Sequence, residues 1–136
     1  MKATELRVGN YIKHPRNKCA IVESIQKSAQ GLYALTFVDE NAGYWIEHEG
    51  DFICEPIPLT EEWLIKLNGN IKDLGNDIFR IGRFKFIWKH SYKYWYVVDD
   101  MTGAYMTKIE FVHEYQNFWY AMNSQELQLK AEAEKQ

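Results

Sequence analysis

Residues 84–98 read FKFIWKHSYKYWYVV and include seven aromatic side chains and three lysines. Aromatic side chains occupy the even positions from 84 to 88, and lysines fall at the odd positions 85 and 89. A period of two places successive side chains on opposite faces of a strand, so the pattern predicts β-structure with one aromatic and one basic face. With the apolar runs on either side, it predicts a meander of antiparallel strands over 78–81, 84–89, 92–98 and 104–109.

Upstream of the meander, short β-branched and aromatic runs are separated by Gly, Pro, Asn and Asp. They predict five strands, at 11–14, 19–25, 32–38, 44–47 and 52–57. Five short strands within about fifty residues are typical of a small, strongly bent sheet. We therefore predict an SH3-like barrel or roll over residues 6–57.

Two helices are predicted around the meander. Thr60 can cap a helix whose first residues, Glu61 and Glu62, place carboxylates at the positive end of the helix dipole, and Asn68-Gly69 is a common way to end one. Residues 111–122 return to helical spacing, and we expect this helix to cover the meander. The predicted fold class is α+β, mainly antiparallel β: an SH3-like barrel or roll, a short helix, a β-meander and a packed C-terminal helix.

Length and composition predict a single compact domain over residues 1–130. The chain has 136 residues, of which 46% are hydrophobic and 15% aromatic, and a disordered chain would be poor in both classes. The SH3-like half covers about 6–57, and the half with helix, meander and helix covers about 59–123. Residues 131–136 hold no apolar side chain larger than alanine, which predicts a disordered tail.

No apolar run reaches the roughly 20 residues that a membrane helix needs, and the first ten residues resemble no signal peptide. We therefore expect a cytoplasmic protein that does not enter a membrane. Cys19 and Cys54 lie in apolar runs, and two cysteines make neither a disulfide framework nor a zinc site. We interpret them as buried free thiols.

Catalytic and metal signatures are incomplete in this sequence. The four histidines, at 14, 48, 90 and 113, lack the spacing of a metal site, and the chain has no nucleophile elbow and no glycine-rich phosphate loop. His48, with Glu47 and Glu49 beside it, is interpreted as part of a solvated acidic edge. We predict no cofactor, no metal and no catalytic residue; a small enzyme that uses His113 or His48 is the last-ranked alternative.

Charge is distributed in blocks although the formal net charge is only −3. Residues 28–65 contain no Lys or Arg, whereas 66–98 are mainly basic. Within the basic block, the hairpin 80–98 is the main candidate for recognition. Cations that hold phosphates beside a ring that stacks on a base are what single-stranded nucleic acid needs. The candidate nucleic-acid-binding residues are Arg83, Lys85, Lys89, Lys93 and Trp95. The alternative is that these lysines only solvate the outer face of a sheet.

Three segments resemble an uncharacterised family of small proteins found in Bacteroidetes genomes, phages and integrated mobile elements. They are TELRVGNY at 4–11, PIPLTEEWL at 56–64, and VHEYQN at 112–117 followed by Phe118, Tyr120 and Ala121. The chain departs from the family pattern at Tyr115, where leucine is usual, at Asn68-Gly69 and near Asn123-Ser124. The resemblance implies an accessory protein of a phage or mobile element, and it implies no catalytic residue.

The distinctive polar positions of that family are His113, Gln116 and Asn117, which fall on roughly one side of the last helix. We interpret them as structural, bonding to neighbouring strands or loops. For function the leading hypothesis is a non-enzymatic binding module that acts through a protein partner. The alternative is binding of single-stranded nucleic acid through the basic-aromatic hairpin. The partner and the oligomeric state do not follow from the sequence.

Overall fold

A computed structural model describes residues 2–14, 17–39, 43–48, 52–67 and 71–129. Its elements in chain order are a 3₁₀ turn (Ala3–Glu5), β1 (Tyr11–His14), β2 (Asn17–Lys27), β3 (Tyr33–Asp39), β4 (Tyr44–His48), α1 (Glu61–Leu67), β5 (Ile71–Gly75), β6 (Ile78–Ile81), β7 (Phe84–Lys89), β8 (Tyr94–Asp99), β9 (Tyr105–Ile109) and α2 (Val112–Asn123). The chain divides into two compact units. The first comprises Met1–Pro58 and Phe111–Glu126, and the second Leu59–Glu110 and Leu127–Gln136.

The first unit contains a four-stranded antiparallel sheet in the order β1-β2-β3-β4. Its strands are rich in β-branched and aromatic residues, and the side chains on one face form a buried core. That core includes Leu6, Ile12, Val22, Leu35 and Phe37. The β2–β3 ladder is the longest and changes register between Val22 and Ser24. Such an irregularity bends a strand and increases its twist.

The two outer strands of this sheet are linked by the segment after β4 rather than by a closed ladder. Lys13 and Glu55 exchange two backbone hydrogen bonds of 2.9 and 2.8 Å, which adds one bridge to the edge of β1. On the side of β4, the carboxylate of Glu47 accepts a 2.8 Å hydrogen bond from the N–H of Ile53. The SH3-like barrel is therefore not confirmed, since no described sheet closes, and the strand predicted at 52–57 reduces to one isolated bridge, at Glu55.

The second unit is the predicted meander with one more strand than expected. Its antiparallel order is β5-β6-β7-β8-β9, and the inner face buries side chains from the central strands, including Phe79, Phe84, Phe86 and Val97. β5 and β6 are joined at Asn76 and Asp77, both at positive φ, a turn that suits the twist of a hairpin. β5 was not predicted because its last four residues are all exposed, so it carries no alternating apolar signal.

The α+β class, the dominance of antiparallel strands and the two helices are confirmed. Thr60 caps α1 as predicted, its Oγ1 accepting a hydrogen bond from the N–H of Trp63. The sequence grouped the last helix with the meander, whereas the compact units group α2 with the first sheet. The predicted single domain stays a prediction.

Two sequence predictions, the helix end at Asn68-Gly69 and the disordered tail at 131–136, lie outside the described residues. Neither α1 nor α2 has the length and hydrophobicity that a helix needs to cross a bilayer.

Candidate functional site

The face of the second sheet that points away from its core combines cations with tyrosines. We call it the outer face. Cross-strand pairing places Lys72 opposite Arg80 and Arg80 opposite Lys85, and in the neighbouring rows it places Tyr96 between Ile87 and Lys108, and Lys89 opposite Tyr94. Directly paired residues in an antiparallel sheet project from the same face. The outer face is defined by Lys72, Ile78, Arg80, Lys85, Ile87, Lys89, Tyr94, Tyr96, Val98, Tyr105 and Lys108.

Tyrosine rings on the outer face are held by stacking and by lysine ammonium groups. The rings of Tyr96 and Tyr105 stack with their centroids 4.8 Å apart and an angle of 29° between their planes. The Nζ of Lys89 lies 5.4 Å from the centroid of Tyr96, and the Nζ of Lys108 lies 5.4 Å from that of Tyr94. A cation within about 6 Å of a ring is attracted by the ring quadrupole. These contacts fix the rings in place while 55% of Tyr105 remains exposed.

One carboxylate lies against this face. The Oδ atoms of Asp100 lie 3.3 Å from the Nζ of Lys85 and 3.8 Å from the Nη1 of Arg80. All three side chains are partly exposed, so these pairs contribute little to stability. They partly neutralise one end of the outer face, whereas Lys72, Lys89 and Lys108 are exposed.

The predicted binding residues are not all brought together. Lys85 and Lys89 lie on the outer face. Arg83 lies in the turn before β7, with its guanidinium 5.0 Å from the ring centroid of Phe84. Lys93 lies in the turn between β7 and β8 at a φ of 57°.

Trp95 has to be corrected, because it lies on the inner face and only 3% of it is exposed. It pairs with Trp88, and its Nε1 donates a 2.8 Å hydrogen bond to the backbone oxygen of Leu59. The turn between Lys89 and Tyr94 has four residues. An even number puts Tyr94 and Tyr96, rather than Trp95, on the side of the lysines. The predicted alternation along each strand is correct, but the prediction placed Trp95 of β8 on the face of the β7 lysines, where Tyr94 and Tyr96 lie instead.

Arg80, Lys72 and Lys108 were missed as members of the site. Lys72 and Lys108 belong to β5 and β9, outside the hairpin 80–98, and Arg80 belongs to β6 at its edge. All three join the outer face through the continued pairing of the meander. Tyr105 joins because the register shifts between Val97 and Val98. Extending the pairing from strand to strand would have found the cations. The register shift has no sequence signal that we recognise.

Glu47 also departs from its interpretation as part of a solvated acidic edge, because only 7% of it is exposed. Its carboxylate accepts hydrogen bonds from the Nε1 of Trp45 at 2.9 Å, the N–H groups of Ile53 and Cys54, and the thiol of Cys54. Burial alone would raise the pKa of Glu47, but these hydrogen bonds together lower it below 4.5. Burial, and then the neighbouring Glu47 carboxylate, raise the pKa of the Cys54 thiol.

Neither Cys19 nor Cys54 forms a disulfide; Cys54 is buried as predicted, whereas Cys19 is partly exposed. A thiol with a raised pKa is a poor nucleophile, so Cys54 has the environment of a structural residue.

The polar positions of the last helix are engaged with the start of the chain. The Oε1 of Gln116 accepts a 2.9 Å hydrogen bond from the N–H of Tyr11, and its Nε2 donates to the oxygen of Gly9 at 3.0 Å. Asn117 accepts from the Nδ2 of Asn10 and donates to the oxygen of Glu5. The two bonds of Gln116 satisfy a buried backbone N–H and a partly buried carbonyl, whereas the bond from Asn117 to Glu5 is exposed.

His113 is 2% exposed, and its Nδ1 has no hydrogen-bond partner among the described residues. Its ring stacks on Phe111. Burial lowers its pKa, and the opposing attraction of the Glu5 carboxylate is smaller. A buried neutral imidazole has the environment of a core residue.

In the described part of the chain, no group of three or more His, Cys, Asp or Glu side chains is placed to hold a metal ion. Comparison with family models, with curated proteins and with solved structures finds no match.

Proposed function

We propose that this protein is a non-enzymatic binding module and that its outer face binds single-stranded nucleic acid. The observation that carries the proposal is the stacked pair Tyr96–Tyr105 with the ammonium groups of Lys89 and Lys108 beside the tyrosine rings of the same face. Nucleic acid without a partner strand presents phosphates and unstacked bases together. The outer face offers a group for each of them.

On the outer face, the cations and the aromatic rings would bind different parts of the nucleic acid. The five cations of the outer face would neutralise phosphates and release counterions, which gives affinity without sequence preference. An exposed ring such as that of Tyr105 can accept any base on its face. A five-stranded sheet is too wide for the major groove of a duplex, which admits a helix or a two-stranded ribbon. Single strands are therefore the favoured ligand.

The test is a fluorescence-anisotropy titration of labelled single-stranded and duplex oligonucleotides at low salt. We expect micromolar binding of single strands and weaker binding of duplex. Tyr105→Leu keeps an apolar side chain but removes the stacking ring, so it should weaken single-strand binding about tenfold. Tyr33→Leu, which removes a partly exposed tyrosine of the first sheet, is the matched control and should leave binding unchanged.

Binding that is equal for wild type and Tyr105→Leu would reject the outer face as the site. No binding to any oligonucleotide at low salt would reject nucleic acid as the ligand. In that case the protein partner favoured from the sequence becomes the hypothesis to pursue, by affinity capture from the host.

We further propose that the chain belongs to the small-protein family of phages and mobile elements that it resembles, and acts there as a cytoplasmic accessory protein. Two of the three resembling segments, 4–11 and 112–117, are joined by the hydrogen bonds of Gln116 and Asn117. This contact supports the proposal, because it gives both segments of the family pattern the same structural role. In the same proposal the first unit is an SH3-like roll, which the Lys13–Glu55 bridge and the Glu47 carboxylate support.

A further inference from the structure

A cavity of about 270 Å³ lies in the second unit on the inner side of the sheet. Its walls are aromatic. The rings of Trp88 and Trp95 have centroids 5.2 Å apart with an angle of 52° between their planes, and those of Phe79 and Trp95 are 5.8 Å apart at 63°. The rings are tilted against one another rather than stacked flat, and all three line the cavity. Phe79 and Trp95 are almost fully buried, so the walls are held by the core.

The lining also includes polar residues, whereas Leu59, Phe79, Trp88 and Trp95 give it an apolar part. Glu61, Asp77 and His90 line it and are exposed. The indole N–H groups of the walls are already bonded, that of Trp95 to the oxygen of Leu59 at 2.8 Å and that of Trp88 to the Nδ1 of His90 at 3.2 Å. With these N–H groups engaged, Trp88 and Trp95 offer a ligand their ring carbons.

His90 is a positioning residue in this arrangement. Its Nδ1 accepts from Trp88, which leaves the ring proton on Nε2, and Nε2 lies 2.6 Å from the Oδ2 of Asp77. Both ring nitrogens are therefore engaged, and the cluster holds Trp88 and Asp77 in place.

We propose that this cavity binds an alkylated ammonium group. Aromatic boxes attract cations through the ring quadrupole, and the attraction is stronger where water is excluded. A primary ammonium brings three N–H donors that need acceptors. The side chains of Leu59, Phe79, Trp88 and Trp95 offer none, and the acceptors of Thr60, Glu61 and Asp77 belong to exposed residues. A methylated ammonium has few or no N–H groups and places its methyl groups against the rings. The carboxylates of Glu61 and Asp77 supply the opposite charge at the mouth.

The size of the cavity limits the ligand to a small cation or the end of one side chain. Binding sites for drug-sized ligands start near 300 Å³. The same chemistry can come from a free quaternary amine or from a methylated lysine of a peptide. A ligand that carries an anionic group close to the ammonium is disfavoured by the two carboxylates.

The experiment follows the indole N–H signals of Trp88 and Trp95 by NMR during titration of the full chain. The probes are tetramethylammonium, choline, the uncharged carbon isostere of choline, and a short alanine-flanked peptide with trimethyllysine or with lysine. We expect choline and tetramethylammonium to bind with a dissociation constant on the order of a millimolar, and the uncharged isostere to bind about tenfold more weakly. Tighter binding of the trimethyllysine peptide than of choline would assign a peptide as the source, and the reverse a free amine.

Variants separate the walls from the mouth. Trp88→Leu keeps an apolar wall without the quadrupole and should weaken choline binding about tenfold, whereas Glu61→Gln should weaken it about threefold. Trp63→Leu, a tryptophan of α1 that does not line the cavity, is the matched control and should leave binding unchanged. If Trp88→Leu does not fold, the exposed Glu61→Gln carries the test alone.

Equal binding of choline and its uncharged isostere would overturn the proposal, as would indole signals that do not move at tens of millimolar of any cation. The cavity and the outer face lie on opposite sides of the sheet. Loss of oligonucleotide binding in Tyr105→Leu with normal choline binding would therefore separate the two sites.

Discussion

The buried carboxylate of Glu47 accepts several hydrogen bonds in the first unit. Four donors converge on its two oxygens, and they come from β4 and from the segment at 53–54. A carboxylate that accepts several hydrogen bonds can be buried without neutralising. Glu47 thus substitutes for the missing backbone ladder between these segments.

Glu47→Gln is predicted to lower the free energy of unfolding by about 2 kcal/mol. Glutamine has the same shape, but its amide group brings donors toward the donors of Trp45, Ile53 and Cys54. Urea denaturation at pH 7 measures the loss. Glu61→Gln, an exposed glutamate at the start of α1, is the matched control and should change stability by less than about 0.5 kcal/mol.

The same residue predicts a dependence on acid. The pKa of Glu47 is lower in the folded chain than its ordinary value of 4.5. Its contribution is therefore fully present above pH 4.5 and is lost as the pH falls through the folded value. Urea denaturation from pH 5 to pH 3 should show a steeper loss for wild type than for Glu47→Gln, and parallel curves would contradict this role.

The buried imidazole of His113 predicts a second pH range in which the stability of the fold changes. Burial holds its pKa below the ordinary 6.5, so the unfolded chain takes up a proton that the folded chain refuses. Stability should fall as the pH drops below 6.5, before Glu47 titrates. His113→Leu, which keeps a buried apolar side chain, should flatten the stability curve between pH 6.5 and 5. An unchanged slope in that window would show that the imidazole is protonated in the folded state.

The side chains of Gln116 and Asn117 connect α2 to the first residues of the chain by hydrogen bonds. Gln116 is fully buried and serves two backbone groups, whereas Asn117 is only partly buried. Gln116→Ala leaves the N–H of Tyr11 and the oxygen of Gly9 without these partners and should cost about 3 kcal/mol. Asn117→Ala should cost about 1 kcal/mol. Equal effects of the two substitutions in urea denaturation would contradict this assignment.

Elements with alternating apolar residues could be predicted from the sequence, and those without could not. β7 and β8 each bury two alternate residues, and their predicted ends lie within two residues of the observed ones. β5 has one partly buried residue followed by four exposed ones and is held by pairing with β6, so local sequence carries no sign of it.

The face that a strand shares with its neighbour depends on the parity of the turn between them. Trp95 was assigned to the wrong face because the turn at 90–93 was not resolved from the sequence. Glu47 was placed in solvent because its donors come from Trp45 and from a segment six residues away. Sequence patterns report burial along one strand, whereas these two positions depend on contacts between segments.

On the scale of the whole molecule, charge follows the division into units. The acidic run at 28–65 falls mainly in the first unit, and the basic run at 66–98 falls entirely in the second. Although the net charge of the chain is −3, the outer face of the second sheet carries five cations: Lys72, Arg80, Lys85, Lys89 and Lys108. Local charge of this kind, rather than the net charge, governs contact with a polyanion.

The salt dependence of single-strand binding counts the phosphates that the outer face neutralises, and it therefore tests whether this face is the binding surface. With three to five cations engaged, log K should fall against log salt with a slope between about −2 and −3.5. The double variant Lys89→Gln/Lys108→Gln should make the slope shallower by about 1.4, while Lys13→Gln/Lys27→Gln, which removes two lysines of the first sheet, should leave it unchanged. Binding that ignores salt, or an equal change in both double variants, would contradict the assignment of the outer face.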